Sequence, residues 1–153
     1  MNKIRKSKTK TGARPHLKLD IRSFSYKQGL PEDRSGHGGG FIFDCRALPN
    51  PGREEQFKKQ SGKSGAVIKF LERLPESKEF FTLCKGLVAQ AVKAYKARGF
   101  ESLSVSFGCT GGQHRSVFMA EKLARMFRGR SGIRTLLTHR DLEASLKRAR
   151  AAR

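Results

Sequence analysis

Between residues 102 and 128 the chain switches from a period of two to a helical period across a short glycine-rich turn, which constrains its fold more than any other feature. Leu103, Val105 and Phe107 alternate with Ser102, Ser104 and Ser106, the pattern of a strand. Gly108-Cys109-Thr110-Gly111-Gly112-Gln113-His114-Arg115 forms the turn. Ser116–Arg128 then places Val117, Ala120, Ala124 and Phe127 on one helical face. A strand that enters a helix through such a turn belongs to α/β architectures with parallel pairing.

The rest of the chain repeats the alternation. Leu17, Leu19, Ile21 and, after a skip, Phe24 predict a first strand, and Gln28–Gly40 reads as a loop closed by Gly38-Gly39-Gly40. Phe41-Ile42-Phe43 is a short apolar run, and the prolines of Leu48-Pro49-Asn50-Pro51-Gly52 force a turn. Helices follow over Ala66–Leu74 and Glu76–Arg98, the second with a stripe of Phe80, Leu83, Cys84, Leu87, Val88, Ala91, Val92 and Tyr95. After a break at Gly129–Gly132, Ile133–Leu137 reads as a strand and Asp141–Arg150 as a basic terminal helix. The fold expected is α/β: a small mixed or mostly parallel sheet flanked by helices, with an anion-binding loop after a central strand.

That loop has the composition of an anion cradle. Backbone N–H groups at a helix start point outward with the positive end of the helix dipole. Gly111 and Gly112 let the backbone approach a ligand, Arg115 supplies a planar fork for two oxygens, and His114 supplies a titratable donor. Thr110 and Ser116 add hydroxyls. The spacing Cys109-x-x-Gly112-x-x-Arg115-Ser116 also resembles the Cys-x5-Arg signature of cysteine-dependent phosphatases, with Cys109 as nucleophile and Arg115 as clamp. Gly108 stands where those enzymes carry His, and no motif supplies a general-acid Asp. Ser61-Gly62-Lys63-Ser64 lacks the leading glycine and strand of a nucleotide P-loop and is set aside.

Charge adds a second theme. The 33 Lys and Arg against 13 Asp and Glu give a formal net charge of +20, concentrated at the two ends. Lys3, Arg5, Lys6, Lys8 and Lys10 lie in an expected disordered arm over 1–15, and Arg140, Lys147, Arg148 and Arg150 lie near the C-terminus. Such ends suit a polyanion, RNA above all, because phosphate neutralisation releases counterions. Three cysteines without metal-ligand spacing fit a reducing, cytoplasmic setting, and no apolar run of about 18 residues spans a membrane. No cofactor or metal is called for.

Three separated segments together carry a family resemblance: Phe24-Ser25-Tyr26-Lys27-Gln28-Gly29, Phe43-Asp44-Cys45-Arg46-Ala47-Leu48-Pro49-Asn50-Pro51, and Gly108 to Val117. In order and spacing they resemble F-x-x-K-x-G, F-D-x-R-x-L-P-N-P and G-C-T-G-G-x-H-R-S-V of the C-terminal domain of the RNase adapter RapZ family. Thr138-His139-Arg140-Asp141-Leu142-Glu143 is similar to that domain's closing segment. The resemblance implies a domain over 16–143, followed by a basic tail or helix end at 144–153, that binds small regulatory RNA. It also implies a pocket for a phosphorylated small molecule, an amino-sugar phosphate, lined by Lys27, Arg46, Asn50, Thr110, Gly111, His114 and Arg115. Cys109 is then a pocket residue of a binding module, with the phosphatase as alternative. The family's nucleotide-binding first domain has no counterpart here, and Gly52 replaces a His that follows the Asn-Pro pair in the family.

Overall fold

The computed structural model describes residues 16–153. Four strands, β1 (Leu17–Ser25), β2 (Phe41–Asp44), β3 (Ser102–Cys109) and β4 (Ile133–His139), form one sheet in the order β2-β3-β1-β4. Every pairing is parallel, so the sheet carries no antiparallel strand among the described residues. Four helices accompany it: α1 (Gly65–Arg73), α2 (Pro75–Arg98), α3 (Arg115–Phe127) and α4 (Arg140–Ala151). The expected basic arm, with Lys3, Arg5, Lys6, Lys8 and Lys10, lies outside the described residues.

The pleat decides which residues enter the core. Leu17, Leu19 and Ile21 of β1 and Leu103, Val105 and Phe107 of β3 are buried. They pack with Val67 and Leu71 of α1, Phe81, Cys84, Val88 and Val92 of α2, and Met119, Leu123 and Phe127 of α3. Each fully buried aliphatic side chain contributes about 1.5–3 kcal/mol of transfer free energy.

Two expectations need correction. The buried line of α2 is Ser77, Phe81, Cys84, Val88 and Val92, whereas Leu83 and Leu87 are exposed. Pro75 also starts α2 immediately after α1, with Leu74 as the shared joint, since proline has no N–H to lose at a first helical position.

The topology places a crevice. The connection from β1 passes over β3 to reach β2 and the connection from β3 passes over β1 to reach β4, so the chain leaves the two central strands in opposite directions. Ligands of open α/β sheets sit at such a point, outside the carboxyl ends. Here the register brings Ser25 beside Cys109 and Ser23 beside His139 at that edge.

Candidate functional site

Cys109 is the last residue of β3, not the second residue of a turn, and α3 begins only six residues later at Arg115. Non-local bonds hold the intervening loop. Ser25 Oγ donates to the Thr110 carbonyl at 2.6 Å, the Cys45 amide donates to the Gly108 carbonyl at 2.7 Å, and the Gly62 amide donates to the Gln113 carbonyl at 2.9 Å. Gln113 Nε2 donates to the carbonyls of Lys58 and Gln60, at 2.9 and 2.6 Å. The loop is thus fixed from three sides before any ligand arrives.

Its glycines divide the work differently from the expectation. Gly112 has φ +65°, and a Cβ there would lie 2.9 Å from the Ser25 amide nitrogen, so its freedom serves packing on β1 rather than ligand approach. Gly111 is exposed, with open space where a Cβ would stand, and it lines the pocket. At Gly108 a side chain would collide with the rings of Phe24 and Tyr26, which is why no His can stand before Cys109.

Around the loop lies an open pocket of about 250 Å³, lined by Lys27, Asn50, Gly52, Lys58, Cys109, Thr110, Gly111, Gln113, His114 and Arg115. The structure therefore brings together Lys27, Asn50, Cys109, Thr110, Gly111, His114 and Arg115 from three distant segments. Ser116 is fully buried behind Cys109, its Oγ 3.1 Å from Sγ. Lys58 and Gln113 are lining residues that sequence reasoning missed. Their signal was the loop stitch between residues 58–62 and 113, which has no local pattern.

Arg115 is 5% exposed. Its Nη1 donates to the Arg46 and Leu48 carbonyls, both at 2.9 Å, which fixes the plane of the guanidinium. Its Nε is buried and has no partner among the described residues. The Nε–Nη2 edge is the side-on face that binds two oxygens of one anion. His114 Nε2 donates to the Phe57 carbonyl at 2.9 Å. In the neutral ring this bond makes Nδ1 an acceptor, and Nδ1 lies on the Gly52 side of the pocket.

Other candidates sit elsewhere. Arg46 does not line the pocket. It pairs with Asp44 through Nε and Nη2 and lies over the Tyr26 ring, 3.8 Å from its centroid. The Arg46 hydrogen bond holds the Asp44 carboxyl below its usual range. His139 is buried between Ser23 Oγ (2.8 Å) and Glu121 Oε1 (3.1 Å) and does not face the crevice. Arg140 donates to the Ser25 and Gly29 carbonyls and pairs with Asp141, whose carboxylate accepts the Ser25 amide. The 138–143 segment therefore braces the end of β1, against which Gly112 of the loop packs. Lys147, Arg148 and Arg150 are exposed on α4. Cys45 and Cys84 are core thiols: burial pushes the first well up and the second to about 11. No helix of the described residues is long and apolar enough to cross a membrane.

A profile of the RapZ C-terminal domain matches residues 17–143. The chain is 43% identical over 123 residues to a nucleotide-binding protein of Thermosipho africanus, a match covering 80% of this chain and 42% of the relative. A nucleotide-binding protein of Leptothrix cholodnii is 38% identical over 132 residues, covering 86% and 39%. One of Acidithiobacillus ferrooxidans is 40% identical over 126 residues, covering 82% and 40%. The chain spans about two fifths of the length of these curated relatives. With the profile running from the first strand into the last helix, the chain belongs to the RapZ C-terminal domain family.

Proposed function

We propose that this domain is a regulatory RNA-binding module whose 109–115 pocket holds the phosphate group of a small phosphate ester. Arg115 carries the reading: a buried guanidinium is immobilised by two carbonyls through Nη1, while its oxyanion-binding edge is left unpaired at a helix start. A cation is not desolvated in this way without a partner, and an anion in the pocket supplies one. Lys27 at the exposed rim adds attraction, Lys58 beside it is paired with Glu55, and no acidic side chain lines the pocket among the described residues. The relatives' name, nucleotide-binding protein, fits a phosphorylated ligand, although the name belongs to chains of about twice the length. The family resemblance narrows the ligand to an amino-sugar phosphate.

The RNA half of the reading rests on the net charge of +20 and on Lys147, Arg148 and Arg150 exposed along α4. The test is an RNA titration at two salt concentrations, with and without sugar phosphates, on wild type and Arg115→Ala. Affinity for RNA should fall with salt by about 0.7–0.9 log units per phosphate neutralised and per log unit of salt. A sugar phosphate should alter it in wild type only. A flat salt dependence defeats the RNA reading, and unchanged sugar phosphate affinity in Arg115→Ala, measured by calorimetry, defeats the pocket.

A further inference from the structure

We infer that Cys109 is a nucleophile, and that the pocket transfers phosphoryl groups from aryl and acyl phosphates to its thiolate. The inference rests on the pocket's holding phosphate, and adds chemistry to it. Four placements support it. Cys109 ends a central strand and lines the pocket beside Thr110 and Gly111, at the base of the loop. Ser116 Oγ lies 3.1 Å from Sγ and can donate its proton to the sulfur in the thiolate form. Arg115, more than nine-tenths buried, lines the same pocket and has an Nε without a partner among the described residues, a free donor for a phosphoryl oxygen while the sulfur attacks. His114, fixed by the Phe57 carbonyl, leaves Nδ1 as an acceptor on the pocket side.

The steps balance with these groups. The thiolate sulfur attacks phosphorus, the S–P bond forms, and the P–O bond to the leaving group breaks with its electron pair on that oxygen. Among the described residues no carboxylic acid lines the pocket to protonate the departing oxygen. The substrates are therefore those whose leaving groups are stable as anions, phenolates and carboxylates, and alkyl sugar phosphates bind without reacting. Water then attacks phosphorus as His114 Nδ1 takes its proton, the S–P bond breaks, and thiolate and inorganic phosphate are released. The imidazolium returns its proton to solvent.

The test uses p-nitrophenyl phosphate and acetyl phosphate as substrates and inorganic phosphate as the binding probe. Wild type should release p-nitrophenolate and show a phosphoryl adduct on the Cys109 peptide by mass spectrometry. Cys109→Ser should lose both while still binding phosphate by calorimetry. His114→Gln, which keeps a donor for the Phe57 carbonyl, should slow turnover about a hundredfold, the low end of general-base effects, and accumulate the adduct. Phosphate binding without turnover overturns the nucleophile and leaves the pocket standing. No phosphate binding overturns both. Turnover surviving in Cys109→Ser, or an alkyl sugar phosphate cleaved as fast as the aryl ester, overturns the mechanism.

Discussion

His114 and His139 stand at the same carboxyl edge of the sheet, both buried, and they differ in how many ring nitrogens are occupied. His139 has Ser23 on one nitrogen and Glu121 on the other, and its own amide is capped by Glu143. Among the described residues the His114 ring has a single partner, the Phe57 carbonyl. Arg140 and Arg115 repeat the contrast: the first is spent on two carbonyls and Asp141, the second keeps an unpaired edge. The residue types are alike in the two regions and both histidines are buried, while Arg140 is about a third exposed and Arg115 is buried. The side of the molecule with spare hydrogen-bonding capacity is the side equipped to take a ligand, and the saturated side is a clasp.

The contrast breaks most visibly at His139. His139→Ala strands a buried serine hydroxyl and takes from Glu121 one of its two partners, leaving Lys63, and should cost about 1–3 kcal/mol in urea unfolding. The folded variant should bind phosphate as wild type does. Unchanged stability would mean that the Ser23–His139–Glu121 chain is not the clasp. A loss of phosphate affinity at full stability would mean that the two regions are one site.

The two adjacent loop glycines sharpen the comparison at smaller cost. Gly112→Ala forces a side chain into φ +65° against the Ser25 backbone and should cost about 1–3 kcal/mol of stability. Gly111→Ala meets open space and should leave stability within about 0.5 kcal/mol, with its effect confined to phosphate affinity. Equal destabilisation by both would place Gly111 in the scaffold as well.

These residues also mark how far the sequence could be read. The strand, the loop and the start of α3 are contiguous, so periodicity and glycine content located them together. Lys27 and Asn50 came only through family motifs, because nothing local distinguishes a pocket lysine from a solvated one. Lys58 was invisible, since the bonds that bring it to the rim run from Gln113 to carbonyls more than fifty residues away. The stripe of α2 was misphased for a related reason. Leu83 and Leu87 lie next to Cys84 and Val88, and only the sheet beneath decides which line turns inward. Arg46 was drawn into the pocket by its motif, while the carboxylate of Asp44, two residues away, holds it outside.

The smallest expected effect concerns the ligand. Near this edge the carboxylates are already engaged: Glu121 with His139, Asp141 with Ser25 and Arg140, Asp44 with Arg46. The open side carries Lys27, Arg115 and Lys58, the last paired with Glu55 at the rim, with no acid among the lining residues described. An ammonium on a bound sugar would therefore find carbonyl and amide oxygens, not a counter-ion. Exchanging the amino group of a sugar phosphate for hydroxyl should change affinity by less than about 1 kcal/mol, whereas removing the phosphate should abolish binding. Calorimetry on the matched pair measures this directly. A preference above tenfold for the amino sugar would require a paired carboxylate to leave its present partner on binding, and Glu55, held by Lys58 at the rim, is the most exposed of them.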